Sequence, residues 1–241
     1  MIAMDDRVPS WCTPVATPWA DVRLHRLDLD AAAGDSERLT ALLAPSERER
    51  AALFRRPDDR LRFVAARAVL RLLLAAAGRG RPERLEIVAD AYGKPALRYP
   101  SPLRFNVAHS GAVALVALAA DCDVGVDVEV VRERAELGAV AARFFAPAES
   151  HALGRLTGAV RTAAFHRAWV RKEACVKAAG LGLRVPLQSV EVGVAPRPGS
   201  WRVAVEIGGA PRSFRVADVA APAGYAAAIA AAVPVDRERT R

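Results

Sequence analysis

The sequence predicts an α/β protein. Stretches with period-two patterning rich in β-branched residues, above all Val124–Val130, alternate with stretches of helical period such as Trp169–Lys177. A loosely similar order of strand, helices and strands stands on either side of a break near residues 110–112, with no convincing repeat in the letters themselves. At 241 residues, 52% hydrophobic and 26% charged, the chain can bury a sizeable core as one large domain or two small halves. The expected division is an N-terminal arm over 1–17, subdomains over 18–111 and 112–233, and a charged tail over 234–241.

In chain order, Pro9, Pro14 and Pro18 make the arm extended and aperiodic. Val22–Leu29 reads as a first strand on which His25 is exposed. Asp35 or Ser36 caps a short helix that stops before Pro45. Ser46 caps the next one, with Glu49 in capping-box position. A longer helix after Asp58 or Asp59 carries Leu61, Val64, Ala65, Ala68 and Leu72 on one face, and Gly78 and Gly80 end it. Leu85–Val88 is a short strand, and Tyr92–Pro95 a turn. Val113–Ala119 and Val124–Val130 read as a hairpin around Asp121–Asp123. Helices follow at Leu137–Phe144, after Pro147, and from about Val160 to Ala179, where Gly180 and Gly182 stop the last. Four strands close the chain at Ser189–Val194, Trp201–Ile207, Ser213–Val219 and Tyr225–Ala231.

The formal net charge of +8 favours anionic partners without choosing among them. Three scattered cysteines, Cys12, Cys122 and Cys175, make neither a disulfide framework nor a zinc site, which points to a reducing cytoplasm. The first residues have no apolar core of a signal peptide, and Arg67 and Arg71 interrupt the alanine-rich run Ala66–Ala77. A soluble cytoplasmic protein with no membrane partner is expected.

On the strand Val124–Val130, Asp127 and Glu129 share the face opposite the valines. On the helix around Trp169, Glu173 and Lys177 stand one turn apart on one face. Three carboxylates on two rigid elements, with lysine beside them, suit a hard divalent cation and a phosphate-rich ligand. A solvated strand face and an ordinary helix ion pair are the plainer alternatives.

Gly125-Val-Asp-Val-Glu129 followed by Trp169-Val-Arg-Lys-Glu173-Ala-Cys-Val-Lys177 resembles the paired signature of 4′-phosphopantetheinyl transferases, in their larger, monomeric, Sfp-like class. Pro45-Ser-Glu-Arg-Glu-Arg50, Gly93-Lys-Pro95 and Phe105-Asn-Val-Ala-His-Ser-Gly111 resemble further blocks of that family in the same order. The resemblance implies two α/β subdomains related by a pseudo-twofold axis, with the active site at their interface. It implies transfer of 4′-phosphopantetheine from coenzyme A to a serine of an acyl- or peptidyl-carrier protein, releasing adenosine 3′,5′-bisphosphate.

The same resemblance assigns Asp127, Glu129 and Glu173 to Mg2+, with Mn2+ as the alternative ion. It assigns Arg50, Arg62, Arg67, Gly93, Lys94, Pro95, Ala108, His109, Asp127, Lys172 and Lys177 to coenzyme A. Ala108 stands where the family usually has serine, which removes a hydroxyl contact and leaves a backbone contact. Glu173 is the implied general base and Glu149 its rival, with Lys177 completing the catalytic set. The alternatives are a non-catalytic coenzyme A or nucleotide binder and a basic nucleic-acid-binding protein. The last predicts a basic stripe interleaved with aromatics, whereas aromatics make up only 6% here. No nucleic-acid partner is expected.

Overall fold

The structure, a computed structural model, describes residues 8–90 and 93–233. Most of the expected arm is therefore visible, while its first seven residues, Tyr92 of the expected turn and the tail lie outside the described residues. The first half contains strands β1 (Cys12–Val15) and β2 (Val22–Asp28), then helices α1 (Ser36–Ala41), α2 (Pro45–Ala52) and α3 (Pro57–Leu74). Short strands β3 (Ile87–Ala89) and β4 (Pro95–Leu97) follow, then β5 (Leu103–Ser110) and β6 (Val113–Ala120). The second half contains β7 (Val124–Val130), α4 (Leu137–Phe144), α5 (Pro147–Gly154) and α6 (Gly158–Ala179), then β8 (Ser200–Ile207), β9 (Ala210–Asp218) and β10 (Tyr225–Ala232).

Two antiparallel four-stranded sheets form, ordered β1-β2-β6-β5 and β7-β10-β9-β8, with β3 and β4 as a separate pair. Their inner faces meet in a core of small and β-branched residues that includes Leu24, Leu115, Val124, Val126, Val128 and Ile229. On its outer face the first sheet is covered by α3 through Val69, Leu70 and Leu73, and the second by α6 through Phe165, Ala174 and Ala178. The halves are alike: β2-α1-α2-α3-β5-β6 matches β7-α4-α5-α6-β9-β10, and β2-β6-β5 matches β7-β10-β9 in sheet order. The two α/β subdomains expected are thus present.

One short sequence feature marks the repeat. Ala44-Pro45-Ser46-Glu47 opens α2 and Ala146-Pro147-Ala148-Glu149 opens α5. In both, proline fills the first helical turn, and the glutamate accepts the N–H of the alanine before it at 3.0 Å. The carboxylate also meets a buried cation from the long helix that follows, Arg71 at 2.6 Å or Lys172 at 2.5 Å. Glu47, rather than the expected Glu49, therefore closes the start of α2, which begins two residues earlier than a Ser46 cap requires.

Several expectations are corrected. The arm is not aperiodic throughout, because β1 pairs with β2 from Cys12 to Val15. The expected hairpin of β6 with β7 does not form: β6 lies between β2 and β5, buried along its length to Ala119. The break at 111/112 therefore falls inside the β5–β6 hairpin, and the sheets separate at Asp121–Asp123. The expected strand Ser189–Val194 does not form: Ser189 closes a 3-10 turn from Leu187, and residues 190–194 are irregular. Their polar groups bond to side chains instead of a ladder: Glu149 accepts the N–H groups of Val192 and Gly193, Lys172 donates to Leu187 and Val190, and Arg171 donates to Gly193.

His25 is buried, not exposed, at 8% accessibility, with Nδ1 lacking a partner. Burial, aided by Arg23, pushes its imidazole down to about 4 from an ordinary 6.5. The unfolded chain then binds a proton between pH 6.5 and 4 that the folded chain refuses, so stability is lost as pH falls through that window. The loss amounts to about 3 kcal/mol. Urea unfolding at pH 7 and pH 4 is expected to show this decrement in the wild type and a smaller one in His25→Leu.

Candidate active site

The site begins at a glycine. A Cβ on Gly125 would lie 2.1 Å from the carbonyl oxygen of Ala174 and 2.3 Å from the nitrogen of Ala178. Because Gly125 has none, α6 rests its backbone directly on β7. On β7 the valines point into the inter-sheet core, so Asp127 and Glu129 share the α6 side with Gly125. Glu173 and Lys177 lie on the same part of α6, and the two pairs meet.

Lys177 Nζ lies 2.5 Å from Asp127 Oδ1. Asp127 is 4% exposed, and its Oδ2 is buried without a partner. Burial pushes this carboxyl up to about 7; Lys177 opposes the shift, while Glu129 and Glu173 add to it. Glu173 is raised as well, by burial first, with Lys177 opposing and Glu129 adding. These mutual effects bring the three carboxyls into one electrostatic neighbourhood.

The partner face comes from β5. Asn106 Oδ1 accepts the Val126 N–H at 2.9 Å and Ser110 Oγ accepts that of Val130 at 3.2 Å, so β5 and β7 run parallel at the seam, joined through side chains. Ser110 Oγ also donates to Glu129 Oε2 at 2.8 Å. His109 points to the opposite face of β5, into the cleft. Desolvation, and then Lys177, holds its imidazole below the ordinary value against the pull of Glu129.

That cleft has a volume of about 740 Å3 and is lined by Arg50, Arg62, Arg67, Gly93, Pro95 and His109. Six of the residues expected to bind the ligand are thus gathered by the fold. Arg62 is held by Asp30 at 2.8 Å and Arg67 by Glu47 at 2.6 Å. Arg50 instead lies over the Phe63 ring, 5.5 Å from its centroid, and makes no ion pair among the described residues. It is the cationic group of the cleft with most charge to offer an incoming anion.

Four expected residues take other places. Lys172 is fully buried and donates to the carbonyls of Leu187 and Val190 besides pairing with Glu149, so its ammonium cannot reach a ligand. Glu149 is 3% exposed, and both its oxygens accept bonds from Ala146, Val192, Gly193 and Lys172, which leaves no lone pair aimed at a substrate. Ala108 turns its methyl into the inter-sheet core, away from the cleft. The Lys94 ammonium bonds two backbone carbonyls on the far side of its turn. Ser110 and Glu47, by contrast, touch site residues without being among the expected site residues; their place inside the quoted sequence blocks is the signal that could have found them.

Among the described residues, no three carboxylate, imidazole or thiol groups stand close enough together, as placed, to enclose a metal ion. Lys177 lies against Asp127 instead. The donor set nevertheless fits a hard cation: three carboxylates in one neighbourhood, with a buried oxygen of Asp127 unpartnered. No helix of the described residues is long and apolar enough to cross a membrane.

Comparison with known proteins gives two family matches. Residues 123–230 match the 4′-phosphopantetheinyl transferase superfamily, and residues 31–123 match the N-terminal region of 4′-phosphopantetheinyl transferases. The two meet at Asp123, where the sheets separate. The chain is 35% identical over 179 residues to the 4′-phosphopantetheinyl transferase HetI of Nostoc sp., covering 73% of this chain and 75% of that one. It is 38% identical over 152 residues to the Synechocystis sp. protein slr0495, whose name provisionally gives the same activity; the alignment spans 62% of each chain, less than two thirds. Sfp of Bacillus subtilis, named as a 4′-phosphopantetheinyl transferase, is 26% identical over 158 residues, which is 66% of this chain and 69% of that protein.

Proposed function

This chain belongs to the 4′-phosphopantetheinyl transferase superfamily, and we propose that it moves the 4′-phosphopantetheine group of coenzyme A onto a serine of an acyl- or peptidyl-carrier protein. The observation that carries this reading is the pairing of buried Asp127 with partly exposed Lys177, which acts electrostatically on His109 in the cleft lined by Arg50, Arg62 and Arg67. Phosphoryl transfer asks a protein for charge neutralisation and positioning more than for covalent chemistry.

In the proposed reaction the carrier serine oxygen attacks the phosphorus that bears pantetheine. The pyrophosphate P–O bond breaks, and adenosine 3′,5′-bisphosphate leaves with the electron pair. Glu173 takes the serine proton, its raised carboxyl being a better base than an ordinary glutamate. Asp127, Glu129 and Glu173 would hold Mg2+, which when bound neutralises pyrophosphate charge. Lys177 orients a phosphate oxygen, and Arg50 and His109 hold the remaining phosphates. The net positive charge favours an acidic carrier and makes association salt-sensitive.

The test is intact-mass analysis of an apo carrier protein incubated with coenzyme A, Mg2+ and this protein. The expected result is a gain of one phosphopantetheine, abolished by chelator or by Glu173→Gln. Binding of coenzyme A with no gain on carriers of fatty-acid, polyketide and nonribosomal peptide pathways would favour a non-catalytic binder.

Assigning the base to Glu173 makes a second prediction. Glu149→Gln turns an amide N–H2 toward buried donors and leaves Lys172 unpaired, at a cost of about 3 kcal/mol or more. Its melting temperature is expected to fall while the rate per folded molecule stays within about twofold of wild type. A folded Glu149→Gln protein without activity would return the base to Glu149.

A further inference from the structure

Gly93 and Pro95 face the ligand cleft, yet the side chain between them leaves in the other direction. Lys94 lines the adjoining cavity, and its ammonium donates to the carbonyl of Lys177 at 2.7 Å and to that of Val124 at 3.1 Å. Val124 is the first residue of β7. Lys177 C=O is one of the last four carbonyls of α6, which a helix leaves without internal partners. Gly180, left-handed at φ +72°, returns its N–H to Val176 and closes only that one. A cation at this end also complements the helix dipole.

Among the described residues the Lys94 ammonium bonds carbonyls only; the Asp90 carboxylate accepts the Lys94 backbone N–H at 2.9 Å, and Asp90 and Asp123 act on the ammonium from a distance. A largely buried ammonium held only by carbonyls is costly, and an apolar side chain of equal length would fill the space. Its three attachments explain its presence. The turn belongs to the first half of the molecule, while β7 and α6 belong to the second, and Lys94 joins all three where Asp127 and Lys177 are set against each other.

We infer that Lys94 is a positioning residue: it clamps the last turn of α6 to the head of β7, and so sets the Lys177–Asp127 contact from the turn that borders the cleft. The kinetic part of this inference rests on the proposed transferase reaction. A lysine that touched coenzyme A itself would act on affinity; a lysine that aligns Lys177 and Glu173 acts on turnover.

The experiment uses the full chain with Lys94→Met and with Lys94→Cys, the latter before and after alkylation by 2-bromoethylamine, which rebuilds a side chain of lysine length ending in an amine. The native thiols Cys12, Cys122 and Cys175 are buried, and burial raises all three, so the folded protein spares them. Expected are a fall in kcat of about tenfold or more with the KM for coenzyme A within about twofold, and recovery of most of kcat on alkylation. A rise in KM at unchanged kcat, or no effect in a folded Lys94→Met protein, would overturn the inference. Hydrogen exchange of the α6 amides near Gly180 supplies a readout that needs no activity. Faster exchange in both unalkylated variants, reversed by alkylation, supports the clamp even if the wild type transfers nothing. Unchanged exchange sinks it.

Discussion

Gly125→Ala is expected to destabilise the protein by about 3 kcal/mol or more, at the upper end of what overpacking costs. The added methyl would stand 2.1 Å from one backbone atom of α6, 2.3 Å from a second and 2.9 Å from the Lys177 carbonyl carbon. These are main-chain atoms, so no side chain can rotate away; the helix itself must lift. The melting temperature should fall by about 10 °C, since a chain of this size loses a few degrees per kcal/mol. Activity of the remaining folded protein should fall further than stability does. Lifting α6 carries Glu173 and Lys177 away from Asp127, and a displacement near 1 Å can cost about a hundredfold in rate. Thermal denaturation by circular dichroism, with the transfer assay run well below the melting point, checks both parts. An unchanged melting curve would mean that α6 does not rest on β7.

Asp127→Asn should separate the two quantities more fully. Ionising Asp127 works against its burial, which is why its carboxyl is pushed up to about 7. The neutral amide keeps the shape and removes that opposition, though it weakens the 2.5 Å contact with Lys177. The variant should therefore melt no more than about 1 kcal/mol below wild type in stability terms. Its transfer rate should drop by about a thousandfold, the scale on which removal of a single charge-stabilising group acts. A rate within tenfold of wild type at saturating Mg2+ would remove Asp127 from the site. The pairing of a small stability effect with a large rate effect is the usual mark of a residue kept for function against the preference of the fold.

How much of this was legible in the letters depends on where each residue's partners lie. β7 and α4 were bounded correctly, because alternating valines and a short amphipathic run are local signals. The conjunction of Asp127, Glu129, Glu173 and Lys177 could be read because two rigid periods fix which residues share a face. Ala108 follows from the same alternation: with His109 in the cleft, its neighbour must face the core. Glu149 and Lys172 could not be read from local pattern, since Glu149 accepts from Val192 and Gly193, over forty residues on, and Lys172 donates to Leu187 and Val190 and pairs with Glu149. That same capture keeps Ser189–Val194 out of a sheet despite its strand-like alternation. The repeated Ala-Pro-x-Glu was in plain view, but its meaning depends on the cations Arg71 and Lys172, which arrive from distant helices. His25 is buried because β1 extends the sheet beyond β2 and residues at the end of α3 lie over that face, and β1 is not announced among prolines.

The seam between β5 and β7 has a consequence for synthesis of the chain. Each strand ends its own sheet, and side chains of Asn106 and Ser110, rather than a full ladder, close the gap. While the ribosome is still making the second half, β5 of the first half lies uncovered, with backbone groups able to template pairing with a neighbouring nascent chain. Aggregation during overexpression should therefore begin in the first half, and shielding that edge until β7 emerges is a task for chaperones or slow translation beyond Asp123.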